Sequence, residues 1–167
     1  MVPVRIETLV VGIPPSPSVV VLRPLEQELS EPRVLPIWIG PTEAASIGVA
    51  LEGSPHPRPM THDFLANIIS ALRASVTRVV IDRVDGSTFF ATVSLESNGE
   101  TITLDARPSD SIALAVRTLA PLFVDEDVLN TSSFPYIFAK HPDQNATMDE
   151  FKQFLDSIKP EDFQVKE

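Results

Sequence analysis

Two short stretches gather the side chains that can do chemistry. Arg58-Pro59-Met60-Thr61-His62-Asp63 sets a guanidinium, an imidazole and a carboxylate close together, and Asp105-Ala106-Arg107-Pro108-Ser109-Asp110 sets two carboxylates around a guanidinium and a hydroxyl. A weaker counterpart, Gly40-Pro41-Thr42-Glu43, has the same order of strand end, proline, small hydroxyl and acid. Asp63, Asp105, Asp110 and Glu43 are hard oxygen donors of the kind that hold Mg²⁺ or Mn²⁺, ions that offset charge building on a phosphoryl oxygen. Arg107 and Arg58 have the fork that fits phosphate oxygens, and Ser109 stands where a helix N-terminus would add backbone amides and a positive dipole end. Histidine changes charge near neutral pH, which makes His62 the candidate acid or base.

Each of these residues also has a purely structural reading. Asp110, Glu43 and Asp63 are acids in the first turn of an expected helix, where carboxylates oppose the dipole. Asp105 reads equally as a solvated strand acid, Arg107 as a bridge between acids, and His62 as a residue bonding within its own turn. His56 and His141 fall in proline-rich or polar loops and read as surface residues. No Walker loop, dinucleotide glycine motif, zinc signature or Ser-His-Asp elbow is present in the sequence.

The elements that must position these motifs repeat. Leu35 to Ala45 aligns on Ile102 to Ile112 with a constant offset, and Val4-Arg5-Ile6-Glu7 resembles Val79-Val80-Ile81-Asp82. Each half reads β-β-β-α, giving an α+β fold: tandem β-β-β-α units forming one mixed or antiparallel sheet or half-barrel with helices packed on it. The halves span about 4–53 and 79–120. Phe89, Ala91, Val93 and Leu95 alternate onto one face, as do Ile102, Leu104 and Ala106, with Gly86 and Asn98-Gly99 as turns. After Asp110, Ile112, Ala115, Val116 and Leu119 share a helical stripe, matched by Ala45, Gly48 and Val49 in the first half. Trp38 alternates away from Leu35, Ile37 and Ile39, so it either packs under a helix or marks a binding surface. A connecting helix over about 61–75, capped by Thr61, buries Leu65, Ile68, Ile69 and Leu72. These pieces make a domain over 1–130. The remaining 131–167 form an acidic tail, with a short strand just before it at Pro121 to Val124 and an amphipathic helix over about 148–159 bearing Phe151, Phe154, Leu155 and Ile158.

Charge limits the partners. The 167 residues carry 13 Lys+Arg against 23 Asp+Glu, a formal net charge of −10. All nine arginines precede residue 125 and all four lysines follow it, and most of the excess acid lies in that last part. A broadly basic nucleic-acid grip is excluded, leaving weak or transient contact through a small arginine-flanked site. Without cysteine there is no disulfide scaffold, thiolate metal site or cysteine nucleophile, and no apolar run is long enough to span a bilayer. A cytoplasmic protein without membrane contact is expected. The apolar strands and small-residue helix further suggest a homodimer.

Taken with Leu35-Pro36-Ile37-Trp38-Ile39-Gly40, the strings Arg58 to Leu65 and Asp105 to Ala115 resemble the bifunctional nuclease domain family of bacteria and plants. The likeness runs from about residue 4 to residue 130, and the segment Phe151 to Phe163 is similar to tails of bacterial members. The resemblance implies DNase and RNase activity. It carries no settled catalytic assignment, so Arg58, His62, Asp63, Asp105, Arg107, Ser109 and Asp110 stand as candidates by their chemistry. Two functions follow. One is metal-assisted phosphodiester hydrolysis, with Asp63, Asp105, Asp110 and Glu43 as ligands, Arg58, Arg107 and Ser109 on phosphate, and His62 moving a proton. The other is a non-enzymatic module that binds an anion or nucleotide, or serves as an oligomeric platform.

Overall fold

The computed structural model describes residues 1–13, 15–26, 32–53, 57–136 and 153. Apart from residue 153, the expected helix over 148–159 lies outside those residues, as do His56 and His141. Three antiparallel strands, β1 (Val2–Val10), β2 (Ser18–Pro24) and β3 (Arg33–Ile39), lead into α1 (Pro41–Glu52). After α2 (Thr61–Ala71) the same order recurs: β4 (Ala74–Asp85), β5 (Thr88–Ser97) and β6 (Glu100–Ala106) are antiparallel neighbours and lead into α3 (Pro108–Thr118). The chain then forms β7 (Leu122–Val124), α4 (Glu126–Ser132) and β8 (Phe134–Pro135).

All eight strands join one mixed sheet in the order β6-β5-β4-β7-β1-β2-β3-β8. The three residues of β7 link the two meanders, running antiparallel to β1 and parallel to β4. Between β4 and β5 the reversal uses Gly86 at φ 58°, and between β5 and β6 it uses Asn98 and Gly99 at φ 53° and 80°. Two consecutive positive φ values are what a tight hairpin matched to strand twist demands, and asparagine and glycine are the residues that adopt them most easily.

The core lies between the sheet and α1 and α3. Val20, Leu22, Leu35, Ile37, Val79, Ile81, Ala91 and Val93 meet Ile47, Ile112 and Ala113 there. A smaller cluster of Val19, Val21 and Val34 occupies the opposite face of the first meander, and Trp38 packs against both. Both α1 and α3 start on a proline in the first turn behind an extended residue, Gly40 or Arg107, which satisfies the ring's fixed φ and removes one donor that has no helical partner.

Several sequence expectations shift. In α1 the buried residues are Ala44, Ser46 and Ile47, while Ala45 is exposed. Leu119 is 89% exposed because it adopts a left-handed conformation as it ends α3. The second meander starts at Ala74 rather than 79, because Arg73 turns left-handed at φ 58° and cuts the connecting helix short at Ala71. That helix is capped by Met60, with Thr61 its first helical residue. Of its expected buried stripe, only Ile69 joins the core, together with Ala66, whereas Leu65, Ile68 and Leu72 face outward.

Candidate active site

The two motifs meet. His62, in the first turn of α2, is 14% exposed at its side chain and lies between α1 and α3. Its Nδ1 is 2.8 Å from Ser46 Oγ of α1, and its Nε2 is 3.1 Å from Asp110 Oδ1 of α3. Ionised Asp110 can only accept, so Nε2 carries a proton and donates. In the neutral ring the Ser46 hydroxyl therefore donates to Nδ1; in the imidazolium the direction reverses. The arrangement orients the ring in both protonation states.

Asp110 is shared. Arg107 Nε donates to Oδ2 at 2.7 Å and Nη2 to Oδ1 at 3.2 Å, while Nη1 reaches across to Glu43 Oε1 of α1 at 3.2 Å. The first turns of α1 and α3 are thus joined through one guanidinium. Burial pushes the Asp110 carboxyl upward, but hydrogen bonds from Arg107 and His62, with their charges, outweigh it and hold the pKa below the ordinary value. The same pairing, led by the Asp110 hydrogen bond, raises Arg107. Arg107 is 66% exposed at its side chain, so its ion pairs are individually weak and exchangeable. The Glu43 carboxylate folds over Gly40 into the space a Cβ would take, so glycine there lets the carboxylate rest where it pairs with Arg107.

Beside this bridge opens a cleft of about 300 Å³, with Trp38, Ile39, Glu43, Phe89, Arg107 and Ser109 among its walls. It brings the end of β3 against the start of β5, although β4, β7, β1 and β2 separate those strands in the sheet, so the sheet bends strongly around it. His62 and Asp110 stand behind Arg107 rather than in the cleft wall.

The remaining candidates are dispersed. Asp63 points into the helix junction, where one oxygen accepts the Met60 amide at 2.8 Å and the other accepts Arg117 Nε. Asp105 is exposed on β6; it is opposite Thr92, on the sheet face away from α3. Arg58 is exposed and makes no hydrogen bond or ion pair to a described residue. Ser109 is 7% exposed at the cleft wall. Among the described residues no group of three His, Asp or Glu side chains is arranged to hold a metal. Arg107 already fills the position between Glu43 and Asp110 that a cation would need, so the expected Mg²⁺ or Mn²⁺ ligand set of Asp63, Asp105, Asp110 and Glu43 does not fit this arrangement.

Two contributors escaped the sequence reading. Ser46 hides among the small residues of α1. Arg117 sits in the last turn of α3 with its side chain 7% exposed, and it donates to Ser46 O at 3.1 Å and Ala113 O at 2.9 Å besides Asp63. The signal for Arg117 was a lone cation in an otherwise apolar helix, which demands a counter-ion from a neighbouring element.

The described helices include none long and apolar enough to cross a membrane. Two proteins of Mycobacterium tuberculosis, from strain CDC 1551 / Oshkosh and strain ATCC 25618 / H37Rv, are each 38% identical over 170 residues, covering 95% of this chain and 98% of their own length; both are described only as uncharacterized. The sequence profile of the bifunctional nuclease domain matches residues 20–136, a span that holds α1, α2, α3 and the whole His62, Asp110, Arg107 and Glu43 cluster. This chain belongs to the bifunctional nuclease domain family.

Proposed function

We propose that the chain hydrolyses phosphodiester bonds of single-stranded DNA or RNA in the cleft beside Arg107. The observation that carries this reading is a two-thirds exposed guanidinium and a carboxylate, Glu43, sharing the wall of a cleft large enough for one nucleotide and bordered by Trp38 and Phe89. Arg107 turns from Asp110 to a phosphate oxygen and steadies the charge that grows in the transition state. Glu43, released from Arg107 by that movement, takes a proton from the attacking water as its oxygen bonds to phosphorus, and the ester P–O bond breaks with the leaving oxygen protonated from solvent. Trp38, half-buried at that border, favours an unstacked base and so a single strand over a duplex.

His62 acts through Asp110. Glu43 and Asp110 carry two negative charges against the single positive charge of Arg107, a balance that repels a phosphodiester. His62, donating from Nε2 to Asp110 Oδ1, holds that carboxylate in position beside Arg107. The overall charge of −10 keeps substrate contact weak and transient.

The test uses highly purified wild type, Arg107→Ala and Glu43→Gln on fluorescent single-stranded oligonucleotides, with Mg²⁺, Mn²⁺ or EDTA. Arg107→Ala is expected to lose binding and cleavage. Glu43→Gln should retain binding and lose cleavage by about 10²-fold or more, the scale of a missing general base. Wild-type cleavage is expected to persist in EDTA. Equal cleavage by all three proteins identifies a contaminant and ends the proposal. Binding by wild type without any cleavage assigns the cleft to a non-hydrolytic nucleotide-binding module instead.

A further inference from the structure

The cleft draws positive potential from more than its side chains. Both α1 and α3 begin at its wall, one through Gly40 and Glu43 and the other through Arg107, Pro108 and Ser109. Each helix N-terminus acts as roughly half a positive charge, so the pair offsets the excess of Glu43 and Asp110 over Arg107.

The two helix ends are alike in sequence and unlike in what lies against them. Neither Gly40 nor Arg107 caps its helix with a side-chain hydrogen bond. The first amide with a helical acceptor is Ala44 N in α1, on Gly40 O at 2.9 Å, and Ser111 N in α3, on Arg107 O at 3.0 Å. Pro41 and Pro108 have no N–H, so the donors left over are the amides of Thr42 and Glu43 in α1 and of Ser109 and Asp110 in α3. At α1 the chain supplies its own anion, since the Glu43 carboxylate folds back over Gly40. At α3 the matching acid turns away, and both Asp110 oxygens are taken by Arg107 and His62. A separate observation marks the α3 end: the Ser109 hydroxyl, in a residue only 7% exposed on the cleft wall, makes no hydrogen bond to a described residue. A buried hydroxyl is costly to leave unpaired, and this one sits with two amides that also lack a helical acceptor.

We infer that the α3 N-terminus seats a second phosphate of the substrate, held by the Ser109 and Asp110 amides and the Ser109 hydroxyl while Arg107 steadies the phosphate being cleaved. This rests on the cleavage reading above and narrows its substrate to the end of a single strand bearing a terminal phosphate. The cleft takes one nucleotide, so the phosphate beyond that nucleotide is the last of its strand. Three neutral donors hold such an anion without a further cation, which suits a chain with no broad basic surface.

Trp38 is the only tryptophan of the chain and lines the cleft, so its emission reports occupancy whether or not cleavage follows. The full chain is titrated with a dinucleotide that is unphosphorylated, 5′-phosphorylated or 3′-phosphorylated. One terminal phosphate is expected to tighten binding about tenfold, the scale of a hydrogen bond to a charged group, and the end that does so assigns the strand direction. Ser109→Ala should cut that gain to less than about threefold with unchanged urea unfolding. Ser109→Thr, which carries the residue type found at the matching place of α1, should keep it; if that variant fails to fold, Ser109→Ala decides alone. The inference is overturned if neither terminal phosphate improves binding, or if Ser109→Ala keeps the whole gain. Oligonucleotide cleavage is measured in parallel: the gain without cleavage ends the nuclease reading and leaves the phosphate seat, and cleavage without the gain does the reverse.

Discussion

Replacing Asp63 by asparagine isolates the clamp that assembles the three helices around His62. Arg117 is 7% exposed and Asp63 is 32% exposed at their side chains, so the pair lies largely out of water on the arginine side. Asp63→Asn keeps the side chain's shape and can still accept the Met60 amide, but it leaves a buried guanidinium without its counter-charge. Breaking such a pair costs about 3–5 kcal/mol; because water reaches the Asp63 end, the lower figure of about 3 kcal/mol applies here. For a domain of this size that is a fall in Tm of roughly 6–12 °C. Removing both charges costs less than removing one, so Arg117→Met/Asp63→Asn should recover at least half of the loss. Urea unfolding followed by circular dichroism gives all three values. The reasoning fails if Asp63→Asn costs under about 1 kcal/mol, or if the double variant is less stable than Asp63→Asn alone.

Three further outcomes follow from the same geometry. Gly40→Ala drives the Glu43 carboxylate off its position and away from Arg107; cleavage should fall several-fold while stability changes by no more than about 1 kcal/mol, since the displaced pair is exposed. Asp110 has a folded-state pKa below its unfolded value, so its stabilisation is present above the ordinary carboxylate range near pH 4 and disappears as the pH falls through the lowered value; the stability gap between wild type and Asp110→Asn should close on acidification, and a gap independent of pH refutes the ion-pair account. If Arg107 alone neutralises a phosphate, the logarithm of single-strand affinity falls against the logarithm of salt with a slope of about −0.7, and a slope several times steeper would reveal a larger basic surface.

The parts of this architecture that were legible from sequence are those in which local chemistry and global burial agree. Alternation put Phe89, Ala91, Val93 and Leu95 on the core face, Asn98-Gly99 marked a hairpin, and the Pro-Ser-Asp and Pro-Thr-Glu strings marked the starts of α3 and α1. Helical spacing also found an apolar stripe on α2, but spacing says only that residues share a side, never that something covers it, and Leu65, Ile68 and Leu72 are exposed. The convergence of His62 with Asp110 needed α2 to lie across α3, which depends on Arg117 bonding Asp63, a contact between residues 54 positions apart. Carboxylates on such a chain look alike until their partners are known. Asp63 and Asp110 are both first-turn acids, yet one closes a buried clamp and the other steers an exposed arginine.

The three-residue strand β7 sets the order in which this molecule can become whole. Each meander closes by hairpins between neighbouring segments, but among the described residues the only backbone ladder between the meanders runs through Leu122–Val124, which bonds Val2–Val4 on one side and Val79–Ile81 on the other. A ribosome must therefore expose nearly the whole family domain before β1, already paired with β2, can take its second neighbour. Until then the borders of β1 and β4 stand open, and pairing with the wrong strand competes with the right one. Loop closure over some 120 residues makes the docking of this small segment the step expected to be slower than the formation of either half.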